Sequence, residues 1–173
     1  GGIFAQSPWA VISNCVINFN SATSGGGAYS GTLVDSILVG NTAGLGGGAY
    51  GEWYELQTVV LNRCQLTGNR AGSGGGAYGS FTLNTCLVAG NSASYGGGLW
   101  GGGRTALANT TVVGNTAQQY GGLFATNGPI NNCIIYSNVS AFGSELIAYQ
   151  VSYSRTPVAS GSGNITDEPR FVD

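Results

Sequence analysis

Side chains able to do covalent chemistry are few in this chain. It has no His and no Lys, and its charge rests on five Arg against seven Asp plus Glu. A glycosidase needs two carboxyls across a groove, and a calcium-dependent sugar lyase needs a carboxylate cluster beside a basic residue. Glu52 and Glu55 share one segment with Trp53 and Tyr54, whereas Asp35 and Glu145 lie far apart. Two glutamates three residues apart on a loop read as solvated charges rather than a catalytic pair. Nucleophilic catalysis through a His base is impossible here. The four cysteines, Cys15, Cys64, Cys86 and Cys133, contain no Cys-x-x-Cys pair, so no zinc site, other metal or cofactor is expected. An enzyme, as a polysaccharide lyase or hydrolase, is therefore the least supported of three readings.

Non-covalent recognition has more behind it. Tyr29, Tyr50, Tyr78, Trp100 and Phe124 recur at one place in a repeat, each just after a glycine run. Facing outward beside bare glycine, they would form a flat strip able to stack on sugar rings or on another protein. The competing reading is that the rings only cover the glycine backbone of neighbouring repeats. Trp53, Tyr54 and Arg104, with Glu52, fall in the segments where repeat length varies, which makes that corner the place to expect a ligand. These eight aromatic and basic residues are the candidate binding set.

The repeat that must position them is marked by Asn20, Asn41, Asn69, Asn91, Asn115 and Asn138, at intervals of 21, 28, 22, 24 and 23 residues. A unit of this length cannot bury its own apolar face, so neighbours must stack to make a core. Eight before each Asn stand Ile12, Leu33, Leu61, Leu83, Leu107 and Ile130; three before stand Ile17, Leu38, Leu66, Val88, Val112 and Ile135. Two unbroken aliphatic columns imply inward ladders on separate strands joined by a corner. The glycine runs and the missing 3.6-residue period exclude helix. The expected fold is an all-β, right-handed parallel β-helix, a β-solenoid of about seven coils of 21–28 residues. Coils occupy residues 1–151, with 1–12 a partial first coil, and 152–173 form a capping or assembly segment.

Side-chain phase follows from polarity. Ala28, Ala49, Ala77, Leu99 and Leu123 are expected inward, sending the aromatics and flanking glycines outward. The opposite phase stays open, but three Tyr hydroxyls would then need buried partners. The gap between aromatic and next aliphatic residue holds 3, 10, 4, 6 and 5 residues, so insertions concentrate at one corner. The repeat Asn column should stack its amides along the axis and accept the left-handed backbone of a tight corner, with Gly40, Gly68, Gly90 and Gly114 beside it. The cysteines share one column with Ser36 and Thr110, read as a ladder of small buried side chains. Cys64 and Cys86 come within disulfide range at about 4.8 Å between Cα atoms, but parallel in-register side chains rarely reach the required dihedral, so free thiols are expected. A further column, Asn14, Asp35, Arg63, Thr85, Asn109 and Asn132, is polar and should face water, with Asp35 and Arg63 able to pair.

A net charge of -2 leaves no basic footprint for nucleic acid or anionic lipid, and no apolar run approaches a membrane span of about 18 residues. Hydrophobic residues at 42%, held in register, argue for order despite 32 glycines. The opening Gly1 reads as a mature or excised piece.

These tetrads resemble a known group. Gly-Gly-Gly-Ala-Tyr alternating with Leu-Val-Gly-Asn is similar to the repeats of chlamydial polymorphic membrane proteins, which form surface parallel β-helices. The segment from Asn132 to Asn138, then Tyr153-Ser154-Arg155-Thr156, then 161–173, more closely resembles bacterial secreted choice-of-anchor Q or right-handed β-helix repeat proteins, of pectate-lyase-like fold. Arg155 stands where that group often has Cys. The resemblance implies an extracellular or cell-surface bacterial protein without a single assigned activity. The favoured reading is a structural or adhesive solenoid, whose partners are further copies stacked head to tail into filaments, or a surface polysaccharide; the alternative is a carbohydrate-binding module.

If the Cys column is buried, Ser36→Cys and Thr110→Cys should be tolerated, whereas Phe at either position should overpack its coil by about 1–3 kcal/mol. Thermal melts check this; equal melts for Phe and Cys would place the column in water.

Overall fold

Each turn of the chain bends three times, and each bend is made by a residue with left-handed backbone. The computed structural model describes residues 1–7, 9–53, 57–157 and 160–169. The first bend uses Asn14, Asp35, Arg63, Thr85, Asn109 and Asn132, with φ between 50° and 56°. The second uses Gly40, Gly68, Gly90 and Gly114, with Phe19 and Ser137 in the first and last turns. Gly25, Gly46, Gly74 and Gly96 make the third, where Tyr120 substitutes at φ 59. A non-glycine residue in this region costs on the order of 1–3 kcal/mol, so the surrounding hydrogen bonds must enforce it. The polar first-bend column is exposed, as its composition indicated.

Between bends the strands pair in parallel with their equivalents one turn away, forming three sheets. Sheet A is 12-stranded; sheets B and C have six strands each, from Val16–Asn18 to Ile134–Tyr136 and from Ser21–Ser24 to Val139–Ser140. Two long strands, Ala77–Asn84 and Leu99–Ala108, span both halves of sheet A. The result is an all-β parallel solenoid of about six turns, close to the seven expected. Every regular element among the described residues is a strand. Both aliphatic columns stand in register, Leu33 opposite Leu61 and Leu83 opposite Leu107, then Leu38 opposite Leu66 and Val88 opposite Val112. With Ala28, Ala49, Ala77, Leu99 and Leu123 they make a buried core, of which only Ile12 in the first turn is partly exposed.

The repeat asparagines are buried from Asn41 to Asn138, with Asn20 half-buried, and their amides form an unbroken chain. Asn41 Nδ2 donates to Asn69 Oδ1 at 3.1 Å, Asn69 to Asn91 at 3.0 Å, Asn91 to Asn115 at 2.9 Å and Asn115 to Asn138 at 2.8 Å. Each Oδ1 also accepts the backbone N–H of the preceding Asn, and each Nδ2 also donates to a carbonyl of the previous turn, as Asn91 does to Leu66 at 2.8 Å. Glu145 ends the chain, its Oε2 accepting Asn138 N–H at 2.8 Å. The asparagines do not themselves carry the left-handed backbone; the residue before each one does. A side chain with four hydrogen bonds to place needs a regular backbone, and glycine takes the bend at lower cost.

The glycine runs are buried rather than outward-facing, because strand alternation begins only at the residue after them. A Cβ on Gly47 would lie 2.6 Å from Arg70 O and Gly75 O, and one on Gly48 would lie 3.1 Å from Asn69 Nδ2. Here backbone passes directly against backbone, leaving no room for a side chain.

All four cysteines are free; three are buried and Cys15 is half-buried. Their column is a row of hydrogen-bonding posts and not merely of small hydrophobes. Each side chain donates to the carbonyl two residues back, as Ser36 Oγ does to Val34 at 2.9 Å, Thr110 Oγ1 to Ala108 at 3.0 Å and Cys133 Sγ to Asn131 at 3.2 Å. Ser36, Thr110 and Ser154 also accept the backbone N–H of Cys15, Cys86 and Cys133. The first left-handed bend lies between each donor and its carbonyl, so this bond closes the bend.

Beyond the last full turn, Arg155 and Ile165 continue the parallel stack. Arg155 takes a strand position beyond Ile134 and is itself followed by Ile165. Its guanidinium lies 4.2 Å from the Tyr136 ring centre and donates to the carbonyls of Ile135, Thr166 and Asp167.

Asn91→Ala removes four buried hydrogen bonds and strands their partners, so it should cost about 3–5 kcal/mol, against under about 0.5 kcal/mol for the exposed Asn18→Ala. Urea unfolding of both variants measures the difference.

Candidate functional site

Sheet A sets Phe4, Tyr29, Tyr50, Tyr78, Trp100 and Phe124 in successive register. They stand outward of the buried column, in the phase that hydroxyl solvation favoured. Ring centres are 5.0 Å apart for Phe4 and Tyr29, 4.9 Å for Tyr29 and Tyr50, and 5.7 Å for Tyr50 and Tyr78, the last pair within 3° of parallel. Trp100 and Phe124 stack at 4.4 Å. Neighbouring faces therefore meet each other, and the row shows its ring edges to a ligand instead of a flat strip.

The ten-residue gap builds the corner beside this row. Glu52 N–H donates to Gln57 O at 2.9 Å, closing the neck of the insertion. Tyr29 OH donates to the Glu52 carboxylate. Trp53 packs 5.4 Å from the Tyr78 ring, and its carbonyl accepts Ser80 Oγ–H at 3.2 Å. Arg104 N–H in turn donates to Ser80 Oγ at 3.3 Å. The Trp53 indole lies over Gly102, where a Cβ would come within 2.1 Å of it. One turn's insertion thus straps across the next turn to the one beyond. The Arg104 side chain is exposed and has no ion-pair partner among the described residues. Tyr54 and Glu55 lie outside the described residues. Burial, and secondly the Glu52 charge, push the Tyr50 phenol above its ordinary pKa.

Of the candidate set, Trp53, Tyr29, Tyr50, Tyr78 and the Arg104 backbone meet around this corner, together with Glu52. Trp100 and Phe124 join a second group with Tyr95 and Tyr120, at 5.0–5.7 Å between ring centres across its other pairs. Tyr95, 41% exposed, was not in the candidate set. Its only sequence signal is an aromatic just before a glycine run, and Tyr120 replaces that run's first glycine. Sheet C adds a shallow groove of about 330 Å³ lined by Arg70, Ser92, Ser94, Thr116 and Gln118, which no motif announced.

Asp35 and the buried thiols are engaged by the fold. Arg63 grips Asp35 through two bonds of 2.7 and 2.8 Å and holds its carboxyl below the usual range. Burial pushes the thiols of Cys64 and Cys133 up, and that of Cys86 up to about 12, which suppresses thiolate chemistry at neutral pH. Among the described residues no group of three His, Cys, Asp or Glu could hold a metal ion. No helix among them is long and apolar enough to cross a membrane. Comparison with protein-family models, curated proteins and solved structures finds no match to the chain.

Gly102→Ala should displace the indole, red-shift tryptophan emission and cost about 1–3 kcal/mol. In a Trp53→Ala background the same change should be nearly neutral, since the clash has gone. Fluorescence and melting of the four-member cycle test it.

Proposed function

We propose that this chain is an extracellular structural solenoid that acts by extension and adhesion, presenting its aromatic row and strapped corner to a surface polysaccharide or to other copies. The observation that carries the reading is the continuous amide chain from Asn20 to Asn138, buried from Asn41 onward and closed by Glu145. Such a chain holds a rigid rod at fixed rise, which suits a scaffold. The engagement of Asp35 by Arg63, Glu52 by Tyr29 and Glu145 by Asn138 supports it, because each acid already serves the fold. Low net charge and the resemblance to secreted bacterial repeat proteins support the location. Head-to-tail stacking is the filamentous form of this reading, and it requires a second copy to displace Arg155, which pairs with Cys133 and Ile135, and Ile165, which pairs with Ser154 and Thr156.

A carbohydrate-binding module is the second reading, favoured by Tyr95, Trp100, Tyr120 and Phe124 gathered at one edge. Polysaccharide lyase or hydrolase activity is a third proposal with less support.

Beads coated with the protein should adhere to bacterial cells or cell-wall polysaccharide, and Trp53→Ala with Trp100→Ala should reduce capture several-fold. Adhesion unchanged by both substitutions removes the row and corner as the adhesive face, and no adhesion to any surface removes the adhesive reading.

A further inference from the structure

The stacked tyrosines beside Glu52 have a use that adhesion does not require. We propose that Tyr29 and Tyr50 form an oxidative cross-linking site, in which a one-electron oxidant couples their rings into dityrosine and staples two successive turns, Glu52 accepting the first phenol proton.

Geometry carries the argument. The two residues are direct register partners on parallel strands, and their rings sit 4.9 Å apart with a 32° tilt. Coupling joins ring carbons ortho to the hydroxyls, so it needs two rings held side by side, which the sheet supplies without a collision. Tyr29 OH is already hydrogen-bonded to the Glu52 carboxylate. Removing an electron makes a phenol strongly acidic, and a base within hydrogen-bond reach can take the proton as the electron leaves. Tyr29 thereby becomes a neutral tyrosyl radical rather than a high-energy cation.

The row also collects oxidation from a wider area. Tyr78 lies 5.7 Å from Tyr50, nearly parallel to it, and Trp53 lies 5.4 Å from Tyr78. An electron vacancy formed at any of these rings can pass along the row to Tyr29, whose phenol is held against the Glu52 carboxylate. Tyr50 is a protonated phenol at neutral pH, as any tyrosine is, and burial and the Glu52 charge raise its pKa further. Its proton leaves to water only when it too is oxidised.

The chemistry balances. Each tyrosine loses one electron to the oxidant, a peroxidase-type or photoexcited acceptor, and one phenolic proton, the first to Glu52 and the second to water. The two radicals form one carbon–carbon bond, and the two ortho hydrogens move to the oxygens to restore both phenols. The product is lighter by two hydrogens.

Exposure alone predicts a different outcome. Tyr149 and Tyr153 are 77% and 69% exposed, against half-burial for Tyr29 and Tyr50, so random oxidation should cross-link those residues between molecules. The test is brief illumination of the dilute 173-residue chain with tris(bipyridyl)ruthenium and persulfate, followed by denaturing electrophoresis, digestion and mass spectrometry. The expected product is a monomer with dityrosine fluorescence and one peptide pair joining Tyr29 to Tyr50. Tyr50→Phe, which keeps the ring stack, should abolish that pair, and Glu52→Gln should slow its formation about tenfold or more while the fold is retained. Cross-links confined to Tyr149 and Tyr153, a Tyr50–Tyr78 pair in place of Tyr29–Tyr50, or an unchanged rate in Glu52→Gln would each overturn the proposal. Because none of these outcomes depends on adhesion, the test leaves the adhesive reading separate.

Discussion

The constraint on which the rest depends is the need to satisfy buried backbone at the corner between sheets B and C. A parallel sheet pairs its N–H and C=O groups along the solenoid axis, but a bend takes some out of alignment, and each group left unpaired in the interior costs about 1–3 kcal/mol. The repeat Asn supplies the missing partners with one side chain. Its oxygen takes two donors from the preceding turn and its nitrogen gives two bonds, one to the following turn and one to the preceding. Aspartate would lose both donors, and glutamine would place them one methylene too far. Once this amide chain is in place, the rise between turns is fixed and every other column inherits its register.

Thin coils follow from the same corner. The chain leaving sheet C passes so close to the backbone of the next turn that only glycine fits, as the 2.6 Å approach of a Cβ on Gly47 to Arg70 O shows. Beside that bare backbone the next outward residue has space around it, and the aromatic column fills it. The rings thus serve two purposes: they cover glycine backbone and they form the row from which the candidate surface is built. Their mutual stacking is also why the row presents edges, since residues in register on parallel strands set like rings over like.

Function in such a rod is left to what projects from it. The interior is saturated: every hydroxyl or thiol in the bend-closing column has an acceptor, and among the described residues no buried side-chain nitrogen or oxygen lacks a partner. Variation is tolerated where the chain passes from aromatic to aliphatic rung, because an insertion there lengthens a surface loop without disturbing the amide chain. That is the corner at which Trp53 crosses to Gly102 and where Glu52 meets Tyr29.

The sequence by itself determined the repeat length, the two aliphatic columns, the inward alanines, the outward aromatics and the corner that accepts insertions. Each is a matter of periodicity, and periodicity along a chain becomes register in space when identical units stack. Other features became visible only with the tertiary structure. Left-handed backbone at Arg63, Thr85 and Tyr120 could not be read from residue type, because neighbouring turns enforce it against propensity. The partnership of Glu145 with Asn138 was hidden because a carboxylate seven residues from an Asn has no pattern until the last turn closes. Trp53 over Gly102 and Tyr29 against Glu52 are contacts between different turns at an irregular insertion, where no repeat constrains the chain and only packing decides.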